Sequence, residues 1–261
     1  MTISDIAFYL ESIAPLALQE DYDNAGLITG NPKWQCTGIL CTLDVTEEVI
    51  AEAVSKNCNC IVAHHPIIFR GLKKITGSGH VEKAVISAIK NDVAIYAAHT
   101  NLDNIIDGVN GKIADKIGLK NRQVLAPLAP GTGAGLMGEL DGDLPAEKFL
   151  QLLKKTFGLE LVKYTRTSKA IIRRVAICGG AGSFLIPRAL DAGMDAYVTA
   201  DIRYHEFFGA EGRMLLCDIG HYESEQFTSD LLTEVLLRKF HTFAVLKSEV
   251  GTNPVLYFTG K

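Results

Sequence analysis

Six short apolar runs, separated by stretches of helical periodicity, limit this chain to a layered α/β architecture. The runs occupy residues 38–43, 60–63, 93–98, 174–178, 196–199 and 214–217. Each is too short for a buried helix and is bounded by polar or turn-forming residues, so each predicts a buried strand. Helical spacing marks 47–55, 81–90, 184–192 and 222–239, and also 3–14, where Ile3, Ile6, Ala7, Leu10, Ile13 and Ala14 share one face before Pro15 ends the pattern. The alternation predicts parallel or mixed sheets with helices packed on them.

The two halves of the chain match each other. A shift of 137 residues lays GILC at 38–41 on VAIC at 175–178, and IVAH at 61–64 on VTAD at 198–201. A shift of 122 lays His99 on His221 and Asp103 on Glu225, turning HTNLD into HYESE. Such self-similarity predicts two similar α/β lobes with mixed sheets, an internal pseudo-repeat, and a metal site in the cleft between them. The segment APLAPGTGAG at 126–135 interrupts the periodic pattern and supplies the expected boundary. The first lobe is then 1–128 and the second 129–261, with the C-terminal segment packing back on the first.

At 261 residues the chain exceeds the usual single-core size of about 100–200 residues, in keeping with two lobes. Apolar residues at 48% against 21% charged exclude a disordered chain. A net charge of −4 provides no global attraction to a phosphate backbone, so nucleic acid is not supported as a partner; Arg173 and Arg174 form the only adjacent arginine pair. The first fifteen residues carry acids and no Lys or Arg, unlike a secretory signal, and no apolar run has spanning length, so a cytoplasmic protein without membrane association is expected. Cys41, Cys60, Cys178 and Cys217 lie in or beside apolar runs, where small buried thiols are expected, and the CxC of Cys58 and Cys60 is a weak metal signal.

Chemistry concentrates at the ends of the predicted strands. CIVAHHPIIF ends one with His64 and His65, VAIYAAHTNLDN another with His99 and Asp103, and MLLCDIGHYESE a third with His221 and Glu225. Ligands of open α/β sheets bind at that edge. Adjacent residues at a strand end point in different directions, so His64 and His65 suit two neighbouring ions. His221 and Glu225, four apart at a helix start, lie one turn from each other and can share a metal. Three imidazoles and two carboxylates offset much of the charge of two divalent cations, and N/O ligands without thiolate fit Zn, Fe, Mn, Co or Ni. Two ions about 3.5–4 Å apart would activate a shared water and clamp phosphoryl or carbonyl oxygens.

Other polar positions have a structural reading beside any chemical one. Glu223 suits the first turn of a helix, where its charge meets the dipole. CGGAGS at 178–183 reads as a phosphate-cradling loop or as a plain tight turn. Asp201 and His205 in TADIRYHE either line the cleft or cap a helix start. Asp23 and Asn24 read as turn-formers ahead of Gly26.

The strings DNAGLITG at 23–30, VAHHP at 62–66, AHTNLD at 98–103, TADIRYHE at 199–206 and GHYESE at 220–225 resemble the NGG-interacting-factor-three-like proteins, labelled in many genomes as GTP cyclohydrolase 1 type 2 homologues. The match runs nearly end to end and in order. The resemblance implies a two-lobed subunit with a dinuclear metal centre, two divalent ions per subunit, assembled into a toroidal homohexamer. Motif by motif, His64, His65, Asp103, His221 and Glu225 take the metal-ligand positions, and His99 matches a histidine near the metals. The short 126–135 link resembles the compact members that lack an extra domain between the halves.

The leading expectation is a metal-dependent hydrolase acting on a nucleotide, GTP among the candidates, or on a related phosphorylated small molecule, with His99 or His205 moving protons. The alternative is a non-catalytic protein that stores or delivers metal, or a ring-shaped scaffold regulated by it. Open coordination positions facing further polar groups would mark the enzyme, and a site closed by protein ligands would mark the other.

Overall fold

The computed structural model describes residues 1–258 and Gly260. The chain forms two compact units, one of Met1–Leu102 with Thr228–Asn253 and the other of Asp103–Phe227 with the residues from Pro254 onward. Among the described residues no helix is long and apolar enough to cross a membrane.

The chain opens with α1 (Ile3–Ile13), where Thr2 and Asp5 form a reciprocal capping box and Ile3, Ile6 and Leu10 face inward. There follow β1 (Gly26–Thr29), β2 (Ile39–Thr42), α2 (Glu47–Ser55), β3 (Cys60–Ala63), α3 (His80–Lys90), β4 (Ala94–Ala97) and α4 (Thr100–Asp103). The Thr46 hydroxyl caps α2 by accepting from the Val49 amide, with Glu47 and Glu48 in the favoured first turn. The second unit contains α5 (Val109–Ile117), β5 (Lys120–Ala129), β6 (Thr132–Pro145), α6 (Ala146–Phe157), β7 (Lys163–Tyr164), β8 (Ile171–Ala181), α7 (Ile186–Asp191), β9 (Ala196–Ala200), β10 (Leu215–Asp218) and α8 (His221–Glu225). The chain then returns to the first unit with α9 (Thr228–Lys239) and β11 (Val245–Lys247).

Both units are mixed α/β. The first sheet has the order β1-β4-β3-β2-β11, and the second β5-β6-β8-β9-β10-β7. In the first, β2, β3, β4 and β11 are parallel and β1 runs antiparallel on β4. In the second, β8, β9 and β10 are parallel and β7 runs antiparallel on β10. The central strands are buried along most or all of their length, which is why they read as unbroken apolar runs.

The pseudo-repeat extends to the hydrogen-bond register. Ile39 pairs with Cys60 in the first sheet, and the residues 137 further on, Ala176 and Tyr197, pair in the second. Cys60 pairs with Ala94, and Tyr197 pairs with Leu216, which is Ala94 shifted by 122. The two offsets found in the sequence are therefore the two strand registers. Each unit encloses its own core, the first around Leu40, Ile50, Ile61 and Ile95, the second around Ala176, Tyr197, Met214 and Leu216.

Two local expectations require correction. The stretch 126–135, expected to separate lobes at 128/129, is the turn region of the β5–β6 hairpin inside the second unit, and the units divide at 102/103, 227/228 and 253/254. Ala129 pairs with Thr132, and Gly131 takes φ +77°, so Pro130 and Gly131 make the turn; this dipeptide suits a hairpin as well as a linker. The helix expected over 222–239 is broken, with α8 ending at Glu225 and α9 starting at Thr228. All six cysteines are buried and unbridged, and burial pushes the Cys41 thiol up to about 12.

The loop between β3 and α3 is tied down at its far end by Glu82, whose carboxylate accepts from the Thr76 and Ser78 amides and both hydroxyls. These bonds, the Thr76 amide first, lower its pKa to about 2. A carboxylate depressed in the folded state contributes stability above its unfolded value near 4.5, and the contribution is lost as pH falls through about 2. Amide-exchange protection over 74–80 should fade across that window in the parent protein, and Glu82→Gln should already lack it at pH 7.

Candidate metal centre

In the first unit, three parallel strands end on the same edge, and each delivers a polar side chain there. Asp44 follows β2, His64 and His65 follow β3, and His99 follows β4. The rings of His64 and His65 lie 4.8 Å apart, and His99 lies 5.2 Å from the first and 5.5 Å from the second. Their ligand nitrogens all fall within 4.8 Å of one another, so these three imidazoles can hold a metal ion.

Each ring is fixed through Nδ1. His64, fully buried, donates to the Ala98 carbonyl at 2.8 Å. His65 donates to Asp44 Oδ1 at 2.7 Å, and His99 to Asp23 Oδ1 at 2.7 Å. Because a carbonyl or carboxylate only accepts, Nδ1 carries a proton in all three, so that in the neutral ring Nε2 is the lone-pair nitrogen. Asp44 also accepts from the Thr252 hydroxyl at 2.7 Å, and Asp23 accepts from the Thr100 amide at 3.0 Å and from its hydroxyl. Burial alone would raise the Asp23 pKa, but the His99 and Thr100 hydrogen bonds outweigh it and bring the carboxyl down to about 2. Asp44 is likewise held below the ordinary range by His65 against the effect of burial.

The second unit repeats the arrangement at the ends of β8, β9 and β10. Asp201, just past β9 at φ +53°, accepts from His221 Nδ1 at 2.7 Å. His221 opens α8, and one turn on, its Nε2 lies 3.1 Å from Glu225 Oε2. With the proton of a neutral ring committed to Asp201, Nε2 and Oε2 are both acceptors, and two acceptors this close are held by a proton or a cation between them. Asp103 joins the same unit at the end of α4, where its carbonyl accepts from Asn110 Nδ2 at 3.1 Å. Asn110 Oδ1 in turn accepts from the Gly179 amide at 3.0 Å. The Cys178 thiol is pushed up by burial first and then by the carboxylates of Asp103 and Glu225.

The glycines of CGGAGS shape the wall behind Glu225. A Cβ on Gly180, at φ +61°, would fall inside van der Waals contact of Glu225 Oε1 and 3.3 Å from His221 Cε1. The Gly180 amide donates to Ser224 Oγ at 2.9 Å, and the Gly182 amide to Thr199 Oγ1 at 3.0 Å. Cys178–Ala181 thus form the end of β8, neither a tight turn nor an open phosphate cradle, since the Gly179, Gly180 and Gly182 N–H groups are taken by protein acceptors.

Of the residues expected from sequence, His64, His65 and His99 come together in the first unit, and His221 and Glu225 in the second. His205 stands exposed on a 3₁₀ helix, Tyr204–Ala210. Asp23 does more than shape a turn, since it orients His99. Asp44 also follows an apolar run, an acidic residue at a third strand end of the same sheet, and that position is its only signal in the sequence. Glu223 sits in the first turn of α8 beside Tyr257, whose hydroxyl pKa is raised by burial and by that carboxylate.

Two units of this topology, each presenting imidazoles and carboxylates at the ends of parallel strands, define a class of α/β proteins with candidate metal-binding edges. The chain belongs to the Duf34/NIF3 (NGG1p interacting factor 3) family, whose model matches residues 1–254. It is 34% identical over 259 residues to a Lactococcus lactis protein named GTP cyclohydrolase 1 type 2 homolog, covering 97% of this chain and 98% of the relative. A Clostridium acetobutylicum protein of the same name is 32% identical, covering 86% and 85%. The solved structure of Staphylococcus aureus protein SA1388 superposes with a TM-score of 0.91 at 29% identity, over 99% of both chains.

Gly180 tests the wall directly. Gly180→Ala should cost about 1 kcal/mol for a left-handed backbone and more for displacing Glu225, and should lower metal content. Gly118→Ala, equally left-handed at φ +75° but facing open space, should show the backbone cost alone. Thermal unfolding and elemental analysis of the two variants read the difference.

Proposed function

We propose that this chain is a dinuclear metal-dependent hydrolase in which His64, His65, Asp103, His221 and Glu225 hold two divalent ions. Its substrate is a nucleotide or a related phosphorylated small molecule, as the name carried by its relatives suggests, and its assembly is the ring of six implied by the family resemblance. The observation that carries the reading is that the imidazoles of His64, His65 and His221 commit Nδ1–H to a carbonyl or carboxylate and so turn Nε2 out as a ligand atom, while His99, oriented in the same way by Asp23, keeps its Nε2 for proton transfer. That pattern of an orienting acceptor behind each histidine is characteristic of metal ligation. Support also comes from connectivity, since His99 and Asp103 are four residues apart on one continuous segment.

The donor set of imidazoles and carboxylates fits divalent transition ions, and the space left by Gly180 fits the Glu225 carboxylate. When bound, such ions lower the pKa of water and offset negative charge on phosphoryl or carbonyl oxygens. The remaining roles fall to the protein. Asp44, the Ala98 carbonyl and Asp201 fix the rings of His65, His64 and His221. His99 keeps a basic Nε2 and can accept a proton there, because the Asp23 carboxylate stabilises the imidazolium that forms. His205, exposed, is the second candidate for proton transfer to or from substrate.

Elemental analysis of the purified protein should show transition metal, and the doubly substituted His64→Ala, Glu225→Ala chain should lose it; a full load surviving both changes contradicts the ligand assignment. Asp44→Asn should leave the ligands in place yet weaken metal affinity by about 10–100-fold, measured by chelator competition. Metal-reconstituted protein should turn over GTP or another member of a nucleotide panel, with Asp103→Ala inactive. Failure to form any metal-dependent product from the panel would leave the non-catalytic metal-binding reading in its place.

A further inference from the structure

The loop between β3 and α3 leaves the strand-end edge of the first unit through His64 and His65, and its charge is unlike that of the rest of the chain. No Asp or Glu occurs from residue 53 to residue 81, although the chain holds 30 of them, while Arg70, Lys73 and Lys74 fall within five consecutive residues. All three are exposed, and none forms an ion pair or a side-chain hydrogen bond among the described residues. Elsewhere cations meet carboxylates closely, Lys56 with Glu52 at 2.8 Å, and Arg122 with Asp115 and Lys163 with Asp218 each at 2.5 Å. In this loop the protein supplies cations and leaves them unbalanced.

The same loop is fastened to the histidine edge. Ile67 packs on the core of the first unit, and the Ile68 carbonyl accepts from Asn24 Nδ2 at 2.7 Å. Asn24 adjoins Asp23, the carboxylate that orients His99. Phe69 then meets His99 edge-on, with ring centroids 5.4 Å apart and planes at 86°. At the far end Glu82 holds the Thr76 and Ser78 amides. The basic stretch is therefore strung between two anchors, one of them in contact with an imidazole of the candidate site. Phe69 to Lys74 is five residues, at most about 18 Å if extended, and bends at Phe69, Arg70 and Lys73 shorten that span.

We propose that Arg70, Lys73 and Lys74 bind the phosphate chain of an anionic substrate whose reacting end lies at the histidine edge. The proposal rests on the reading that this edge acts on a phosphorylated molecule, and it names the residues that recognise the phosphates. An arginine presents a planar fork to two phosphate oxygens, and the two ammonium groups act as point charges on flexible stems. Cations without carboxylate partners also draw an anion to the edge from solution, which a chain of net charge −4 does not do as a whole. The attraction is screened by salt, so it leaves a measurable signature.

The test titrates inorganic triphosphate into the metal-loaded full chain by calorimetry at low salt. The triple variant Arg70→Ala, Lys73→Ala, Lys74→Ala should bind it about tenfold or more weakly, with metal content unchanged, and the difference from the parent should shrink as salt is raised. A second triple variant, Lys148→Ala, Lys154→Ala, Lys155→Ala on the exposed face of α6, alters net charge by the same amount and should bind like the parent. The proposal is overturned if the loop variant binds triphosphate as the parent does, if both triple variants weaken it equally, or if the parent binds none. Those outcomes leave the metal assignment standing, which fails separately if the purified protein carries no metal.

Discussion

The arrangement of each unit depends on three parallel strands that stop together. A parallel register places the C-terminal ends of neighbouring strands side by side, and the residue after each strand has left the ladder and is free to present its side chain at that edge. In the first unit this aligns Asp44, His64, His65 and His99, and in the second it aligns Asp201 and His221. Had any strand slipped by one residue, its apolar side chains would have changed faces and the terminal histidine would have pointed elsewhere. The core and the candidate ligands are therefore specified by the same pairing.

Orientation within the edge comes from a layer of acceptors behind the imidazoles. Asp23, Asp44 and Asp201 each take an Nδ1–H, and the Ala98 carbonyl serves where no carboxylate reaches. The carboxylates are themselves held, Asp23 by Thr100 and Asp44 by Thr252, so that the rings sit in fixed tautomers. Such preorganisation suits ligands that must meet an ion without reorganising. Glycine completes it at Gly180, where any side chain would occupy the space of Glu225.

The sharing of register between the units explains how a chain of this length can build two edges of like chemistry. Equivalent strands carry His64 and Asp201 at the same place, one a ligand candidate and the other an orienting carboxylate, so the repeat preserves position while its chemistry has diverged. The additions differ too. The first sheet recruits β11 from the returning C-terminal segment, whereas the second extends through the β5–β6 hairpin.

Much of the fold could be read from the chain itself, since buried parallel strands must be continuous apolar runs and helices on a sheet must repeat every three to four residues. The strands from β2 to β4 and from β8 to β10, α2 and α3, the pseudo-repeat and the histidine-bearing strand ends were all legible for that reason. The hairpin hidden in Pro130–Gly131 was not, because a turn and a linker use the same residues. Nor was the role of Asp23, Asp44 or Asp201, as a carboxylate beside a turn looks the same whether it caps the backbone or steadies an imidazole tens of residues away. Hydrogen bonds between distant segments, such as His99 to Asp23 across 76 residues, exist only once the sheets are assembled, and tertiary structure alone decided them.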